Sequence, residues 1–179
     1  QARCYIQNGE FKEAKQAASK TQDRQLQRNC DELINIEANA NSRMQEGQIG
    51  EATRLLDILI RNAPKASRFI KDRSEIAWMS QDYNRYKELL ESLEKNYPND
   101  SKIAYRHGII SYCDGQMEQA SNHLKKSMGM RKSPKNCTEA LNAVDMINRH
   151  YPLAQKAIDS KDAETAQTEI EACLSAGQK

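Results

Sequence analysis

The 179-residue sequence holds few residues that make turns or aromatic surfaces: seven Gly, four Pro, two Phe and one Trp. So little Gly and Pro argues against a β-sandwich or β-barrel, because those folds need many turns. No apolar run is long enough to cross a bilayer and no signal-peptide pattern opens the chain, so no membrane partner is expected. The abundant residues are Ala, Leu, Glu, Lys, Gln and Arg, which favour helices. The composition predicts an all-α protein of one domain or a short array.

Neither sign of charge is in large excess, since 27 Lys and Arg face 25 Asp and Glu for a formal net charge of +2. A nucleic-acid-binding protein normally carries a larger basic excess, so no nucleic-acid partner is expected. Catalytic combinations are also missing. His107, His123 and His150 have no Cys or Asp at catalytic spacing, and the five cysteines lack zinc-type spacing. We therefore expect a protein that is not an enzyme and has no cofactor or metal.

Small residues and prolines recur at a fixed interval. Pro64 and Pro98 lie 34 residues apart, and twice that interval separates Gly47 from Gly115. A period of 34 residues is typical of the tetratricopeptide repeat, a unit of two antiparallel helices. Such units stack into an α-solenoid that holds a segment of another protein on its hollow side. The predicted fold is therefore an all-α tetratricopeptide-repeat solenoid with long linker helices.

Each recurring residue has a packing reason. Gly108 and Ala120 fall where the two helices of one unit cross most closely, so a larger side chain would hold the helices apart. Gly115 falls at the end of the first helix of its unit, where the chain needs a left-handed residue. Pro98 falls just after a second helix because proline cannot continue the hydrogen-bond ladder.

The pattern predicts a truncated repeat over 1–22, a block of three repeats over 23–132, and a linker helix with a degenerate repeat over 133–179. Ser133-Pro134 reads as the N-cap and first residue of that linker helix, and Pro152 predicts a kink or a break in it. Ala154, Ala166 and Leu174 are assigned to the last repeat. The predicted helices span 11–21, 23–46, 49–61, 66–80, 83–96, 100–113, 116–129 and 134–160.

Three stretches resemble the tetratricopeptide co-chaperones that carry a C-terminal J-domain. They are 3–14, with its turn Asn8-Gly9-Glu10-Phe11, then 30–52, and 104–133, which opens Ala-Tyr-Arg-His-Gly. The resemblance implies a protein-interaction module that binds unfolded clients or the tail of Hsp70 or Hsp90. The family has a cytosolic and an endoplasmic-reticulum branch, and a cytoplasmic location is expected over the endoplasmic-reticulum lumen because nothing in the sequence marks secretion. The sequence has no His-Pro-Asp motif, so any J-domain is expected beyond Lys179.

Many co-chaperones of this class hold an acidic C-terminal tail with Lys, Asn and Arg from three successive first helices. On this chain, Asn41, Lys102 and Arg106 match that carboxylate clamp. Glu37 and Asp72 depart from it, because two carboxylates would repel an acidic ligand. The resemblance therefore implies a degraded clamp with weak or no binding of such a tail.

Two ion pairs offer another interpretation of these charges. Glu37 would pair with Lys71, and Asp72 with Arg106, so that the groove neutralises itself. Trp78 lies beside the expected core, and we expect it to pack there rather than to stack on a bound peptide. A different class of function also stays open, namely an architectural scaffold unrelated to chaperones, which would expose a contiguous apolar patch.

Overall fold

The computed structural model describes residues 1–176 of the chain. Within that range it contains ten helices and no strand, so the predicted all-α class is confirmed. None of these helices is both long and apolar enough to span a membrane. The helices are α1 Ala2–Gln7, α2 Phe11–Lys20, α3 Arg24–Gln45, α4 Ile49–Asn62, α5 Ser67–Met79, α6 Tyr83–Asn96, α7 Ser101–Cys113, α8 Met117–Met128, α9 Cys137–Asp159 and α10 Ala163–Ala176.

Tight turns close the helical hairpins where the repeat pattern predicts them. Gly9, Gly47 and Gly115 take φ values of +78°, +72° and +75°, the left-handed region that glycine adopts without steric penalty. Gln81 stands at the corresponding turn before α6 and takes φ +59°. A side chain there costs about 1–2 kcal/mol relative to glycine, so this turn is strained.

Proline ends two second helices as expected. α4 stops at Asn62 and α6 at Asn96, and Pro64 and Pro98 follow two residues later in each case. Lys132 holds the next such position, with φ +68°. Proline is locked near φ −65°, so it cannot adopt this backbone. The missing proline therefore reflects a different chain path after α8.

The predicted start of the linker helix at Ser133-Pro134 is wrong. α9 begins at Cys137 with Asn136 as its N-cap, and the Cys137 amide donates to the Pro134 carbonyl across a turn, at 3.1 Å. The cause is a tertiary contact: the Ser101 hydroxyl donates to the Lys132 carbonyl at 2.8 Å. This bond holds the loop against the start of α7 and delays the helix by one turn.

Pro152 does not break α9, because the helix runs without interruption from Cys137 to Asp159. Proline inside a helix leaves the carbonyl four residues earlier without its amide donor. Pro152 and Asn148, which carries that carbonyl, are both exposed, so water can satisfy the carbonyl.

The chain divides into two compact units, Gln1–Asn96 and Tyr97–Lys179. The first unit contains α1 to α6, and helices that follow one another pack together. Its core holds fully buried Phe11, Leu56 and Phe69, with the two phenyl rings stacked at 5.9 Å between centroids. Burying each such side chain contributes about 1.5–3 kcal/mol.

Tyr86 occupies a position where alanine is usual in this repeat, and it is fully buried. Trp78 packs its ring edge-on against Tyr86, at 5.3 Å between centroids, and against Tyr83 at 5.4 Å. The packing role predicted for Trp78 is therefore confirmed, and α5 and α6 enclose an aromatic cluster in place of a small-residue contact.

The second unit contains α7 to α10, and α7 crosses α8 closely at Gly108. A Cβ atom added at Gly108 would lie 2.7 Å from Leu124 Cγ and 3.3 Å from the Ala120 carbonyl oxygen. Ala120 and Leu124 are fully buried, and Cys137 and Val144 of α9 complete this core. The close helix crossing predicted at Gly108 and Ala120 is confirmed.

The residues assigned to the last repeat are not all buried. Ala154 and Ala166 are buried as expected, but Leu174 is 62% exposed and is not a core residue. α10 is the last helix of the described chain, and Leu174 lies on its outer face. The repeat blocks 1–22, 23–132 and 133–179 stay a prediction, because compactness does not test how repeats are grouped.

Two glycine-to-alanine variants separate helix propensity from helix crossing. The Gly50→Ala variant should be more stable than the wild type by about 0.5–1 kcal/mol, because the new Cβ atom would point into open space. The Gly108→Ala variant should have a free energy of unfolding about 1 kcal/mol lower than the wild type. Alanine brings the same gain in helix propensity there, but Leu124 must move to make room for the new methyl group. Urea unfolding measures both, and a Gly108→Ala protein as stable as the wild type would contradict the contact.

Candidate functional site

The first unit places two of the predicted groove residues on one helix. Glu37 and Asn41 lie one turn apart on α3, and both line a depression of about 480 Å³ together with Phe11, Ile34 and Arg68. Asn41 is exposed, whereas the Glu37 side chain is 28% exposed. The depression therefore presents an amide and a partly covered carboxylate over an apolar floor.

Arg68 controls the charge of this depression, although the sequence analysis did not single it out. Its Nη2 donates to Glu37 Oε1 at 2.7 Å and to the Gly9 carbonyl at 2.8 Å. The guanidinium also lies over the Phe69 ring, 4.3 Å from the centroid. Arg68 thus joins the α1–α2 turn, α3 and α5, and it is the partner that the structure gives to Glu37. The predicted pair of Glu37 with Lys71 stays a prediction.

The position of Arg68 on α5 explains its pair with Glu37. Arg68 lies in the first turn of α5, next to the turn that Gly9 makes. A Cβ atom at Gly9 would lie 2.8 Å from Ala66 Cβ, so only glycine lets the two segments approach this closely. The sequence did contain a signal, because Arg68 stands one 34-residue period before Lys102.

Asp72 lies one turn after Arg68 on α5 and is partly buried. Burial raises the pKa of its carboxyl group above the ordinary value, Arg68 and Lys71 lower it, and Glu75 and Glu37 raise it further. The predicted pair between Asp72 and Arg106 would join the two units and stays a prediction. Within the first unit, burial has the largest effect on Asp72 and disfavours its charged form.

The second unit holds the remaining two predicted clamp residues. Lys102, in the first turn of α7, is exposed. Arg106, one turn later, is only 3% exposed, so its guanidinium is not presented to solvent as the clamp would require. Asn41, Lys102 and Arg106 as a joint peptide-binding set therefore stay a prediction.

A second depression, of about 240 Å³, lies between α7 and α9. Tyr105, Ile109 and Tyr112 line it from α7, and Ala140 and Val144 line it from α9. Tyr105 and Tyr112 also pack against the core of the unit. Burial raises the pKa of Tyr105, with Cys137 and Glu139 adding to the effect, so the phenol stays neutral. This depression is mostly apolar and carries one carboxylate, Glu139, at its side.

These α7 residues occupy the groove positions of the repeat. Tyr105 lies two periods after Glu37, and Ile109 lies two periods after Asn41. The same two positions therefore hold polar side chains in α3 and apolar ones in α7. Tyr105 and Ile109 carry no charge, so the clamp pattern does not mark them, although the repeat spacing does.

The histidines make two contacts that their spacing in the sequence does not reveal. His107 of α7 and His123 of α8 stack their rings at 3.6 Å between centroids. His150 of α9 lies 2.6 Å from a carboxylate oxygen of Glu169 on α10, through its Nδ1. The His150 contact joins the two helices of the last hairpin and has a structural role.

The raised pKa of Asp72 predicts a pH-dependent stability difference. The folded state binds the Asp72 proton more tightly than the unfolded chain, so stability falls as pH rises from about 3.9 through the folded pKa. Asp72→Asn removes that loss and should be more stable than the wild type at pH 7. The advantage should vanish below about pH 3.9.

Thermal unfolding of Asp72→Asn and wild type at pH 7 and pH 3 measures this difference. Glu91→Gln, an exposed carboxylate on α6, controls for the loss of one surface charge. An Asp72→Asn protein less stable than the wild type at pH 7 would show that attraction to Arg68 and Lys71 outweighs the cost of burying the carboxylate.

No family model matches this chain, and no curated protein matches it either. Among solved structures, the crystal structure of the P58(IPK) TPR domain superposes with a TM-score of 0.80 at 14% identity. The match covers 98% of this chain and 52% of that chain, so this chain spans about half of the domain it resembles. A MamA RS-1 ArsTM double mutant gives a TM-score of 0.48 at 13% identity, over 99% of this chain and 90% of that one. The first match establishes the fold: this chain has the helical-hairpin architecture of a tetratricopeptide-repeat domain.

Proposed function

We propose that this chain is the polypeptide-binding module of a J-protein-type co-chaperone, and that it binds apolar segments of unfolded clients. One observation carries the proposal: the groove positions of α7 hold Tyr105, Ile109 and Tyr112 around an apolar depression. Its volume of about 240 Å³ suits one or two large apolar side chains. No catalytic role is part of this proposal.

The polar residues at the groove positions favour an unfolded client over an acidic C-terminal tail as the ligand of this groove. Arg68 is engaged by Glu37 at 2.7 Å and Arg106 is buried, so of the two clamp cations Lys102 alone is exposed. An acidic tail would also approach Glu10 and Glu13, which line the depression of the first unit. The sequence resemblance to the J-domain co-chaperones and the repeat fold agree with a protein partner.

Ile109→Asp tests the proposal in the second unit. An aspartate in this groove would leave a charge against Tyr105 and Tyr112, which should weaken binding of a fluorescein-labelled peptide rich in Leu and Phe about tenfold. Fluorescence anisotropy measures the dissociation constant. Ile158→Asp, whose parent side chain is 51% exposed on α9, is the matched control and should leave binding unchanged.

The competing ligand is the C-terminal peptide of an Hsp70. Its binding should be weaker than that of the apolar peptide, and Ile109→Asp should not change it. Binding of the apolar peptide that Ile109→Asp leaves unchanged, or binding of the acidic peptide that Ile109→Asp weakens, with both variants folded by circular dichroism, would contradict the client-binding function.

A scaffold function is the second candidate, because the last hairpin exposes several large apolar side chains: Tyr151, Leu153, Ile158, Ile170 and Leu174 are 41–62% exposed. Exposed apolar groups in this number are typical of an interaction surface. The same pair of variants separates the candidates. A scaffold subunit would lose its stable partner through Ile158→Asp and keep it through Ile109→Asp.

A further inference from the structure

The near balance of charge along the chain conceals a local excess. Residues 119–138 contain five basic side chains and no acidic one. The rest of the chain therefore holds the other 22 of the 27 basic residues and all 25 acidic residues. These five residues, which we call the basic rim, are Lys125, Lys126, Arg131, Lys132 and Lys135.

The basic rim lies at one end of the α7–α8 hairpin. Lys125 and Lys126 belong to the last turn of α8, and the other three lie in the loop that leads to α9. All five side chains are exposed. Among residues 1–176 none of them forms an ion pair, so their charges are not neutralised by the described chain.

Hydrogen bonds to the start of α7 hold this loop in place. The Ser127 hydroxyl donates to the Ser101 carbonyl at 2.8 Å, and the Ser101 hydroxyl donates to the Lys132 carbonyl at 2.8 Å. Ser127 is fully buried, so the first bond is shielded from water, and the second bond is partly buried. The backbone that carries the rim is therefore ordered before any ligand binds, which lowers the entropic cost of binding.

A depression of about 510 Å³ lies beside the rim. Lys102, Arg131 and Lys132 line it, together with Tyr97 and Pro98. Asp100 is the acidic group in its lining, and this carboxylate accepts hydrogen bonds from the amides of Lys102 and Ile103 as the N-cap of α7. The carboxylate of Asp100 is thus engaged at the helix end, and three basic residues stand against this one acidic residue in the lining.

We propose that the basic rim and this depression bind an acidic segment of a partner protein. Charge complementarity identifies the chemistry, because carboxylates pair with Lys and Arg in charge-assisted hydrogen bonds. The excess of acidic residues over the rest of the chain favours a short ligand, since a long polyanion would meet repulsion beyond the rim. This surface shares no lining residue with the apolar groove of α7 and α9, so the proposal does not depend on client binding there.

Octaglutamate labelled with fluorescein tests the proposal by anisotropy at low salt. Reversal of two rim charges in the Arg131→Glu/Lys132→Glu variant should weaken its binding at least tenfold. Lys12→Glu/Lys65→Glu makes the same change in net charge at two exposed positions of the first unit and should weaken it by less than twofold. Ile109→Asp should bind octaglutamate as the wild type does, whether or not the groove binds clients.

Three results would overturn the proposal. Unchanged binding by Arg131→Glu/Lys132→Glu would remove the rim from the site, and equal weakening by both double variants would show that only net charge matters. Tighter binding of an eight-nucleotide oligothymidylate, or of phosphatidylserine vesicles, than of octaglutamate would show that the rim serves a nucleic acid or a membrane. Circular dichroism establishes that each variant is folded.

Discussion

The close approach of α7 and α8 at Gly108 determines what the second unit presents. Ala104, Gly108 and Ser111 are buried, and Gly108 leaves no room for a Cβ beside Leu124. Each residue of a helix lies about 100° round the axis from the residue before it, so the residues that follow these three share a different face of α7. Tyr105, Ile109 and Tyr112 therefore line the depression facing α9. One glycine contact orients α7, and the orientation of α7 creates the groove.

The two units use the same repeat positions for different chemistry. In the first unit these positions carry Glu37 and Asn41, and Arg68 neutralises the carboxylate while it joins three chain segments. In the second unit they carry Tyr105 and Ile109, which line an apolar surface. These four positions hold one amide, one paired carboxylate and two largely apolar side chains, and the apolar pair is the part on which the client-binding proposal rests.

Features set by local sequence were predictable. The 34-residue period located the helices of the hairpins, the left-handed turns at Gly47 and Gly115 and the tight crossing at Gly108, because each depends on backbone geometry. The start of α9 was not predictable, since the bond between Ser101 and Lys132 joins residues 31 positions apart. Tertiary contacts of this kind override local capping signals.

The candidate site was predicted less well for the same reason. Spacing identified Glu37 and Asn41 as groove residues, but the partner of Glu37 depends on where the turn at Gly9 meets α5. Arg106 satisfies the clamp pattern in sequence, yet it is buried in the folded chain. A sequence pattern specifies which face a residue occupies, whereas the packing of neighbouring helices decides whether its charge reaches solvent.

A double-mutant cycle at the α7–α8 contact tests this account most directly. Gly108→Ala, Leu124→Ala and the double variant are compared by urea unfolding. If the added methyl group collides with Leu124, removal of that side chain relieves the collision, and the two changes should couple by about 1 kcal/mol or more. Additive effects, with no coupling, would show that Gly108 does not set the position of α7 and would contradict the account.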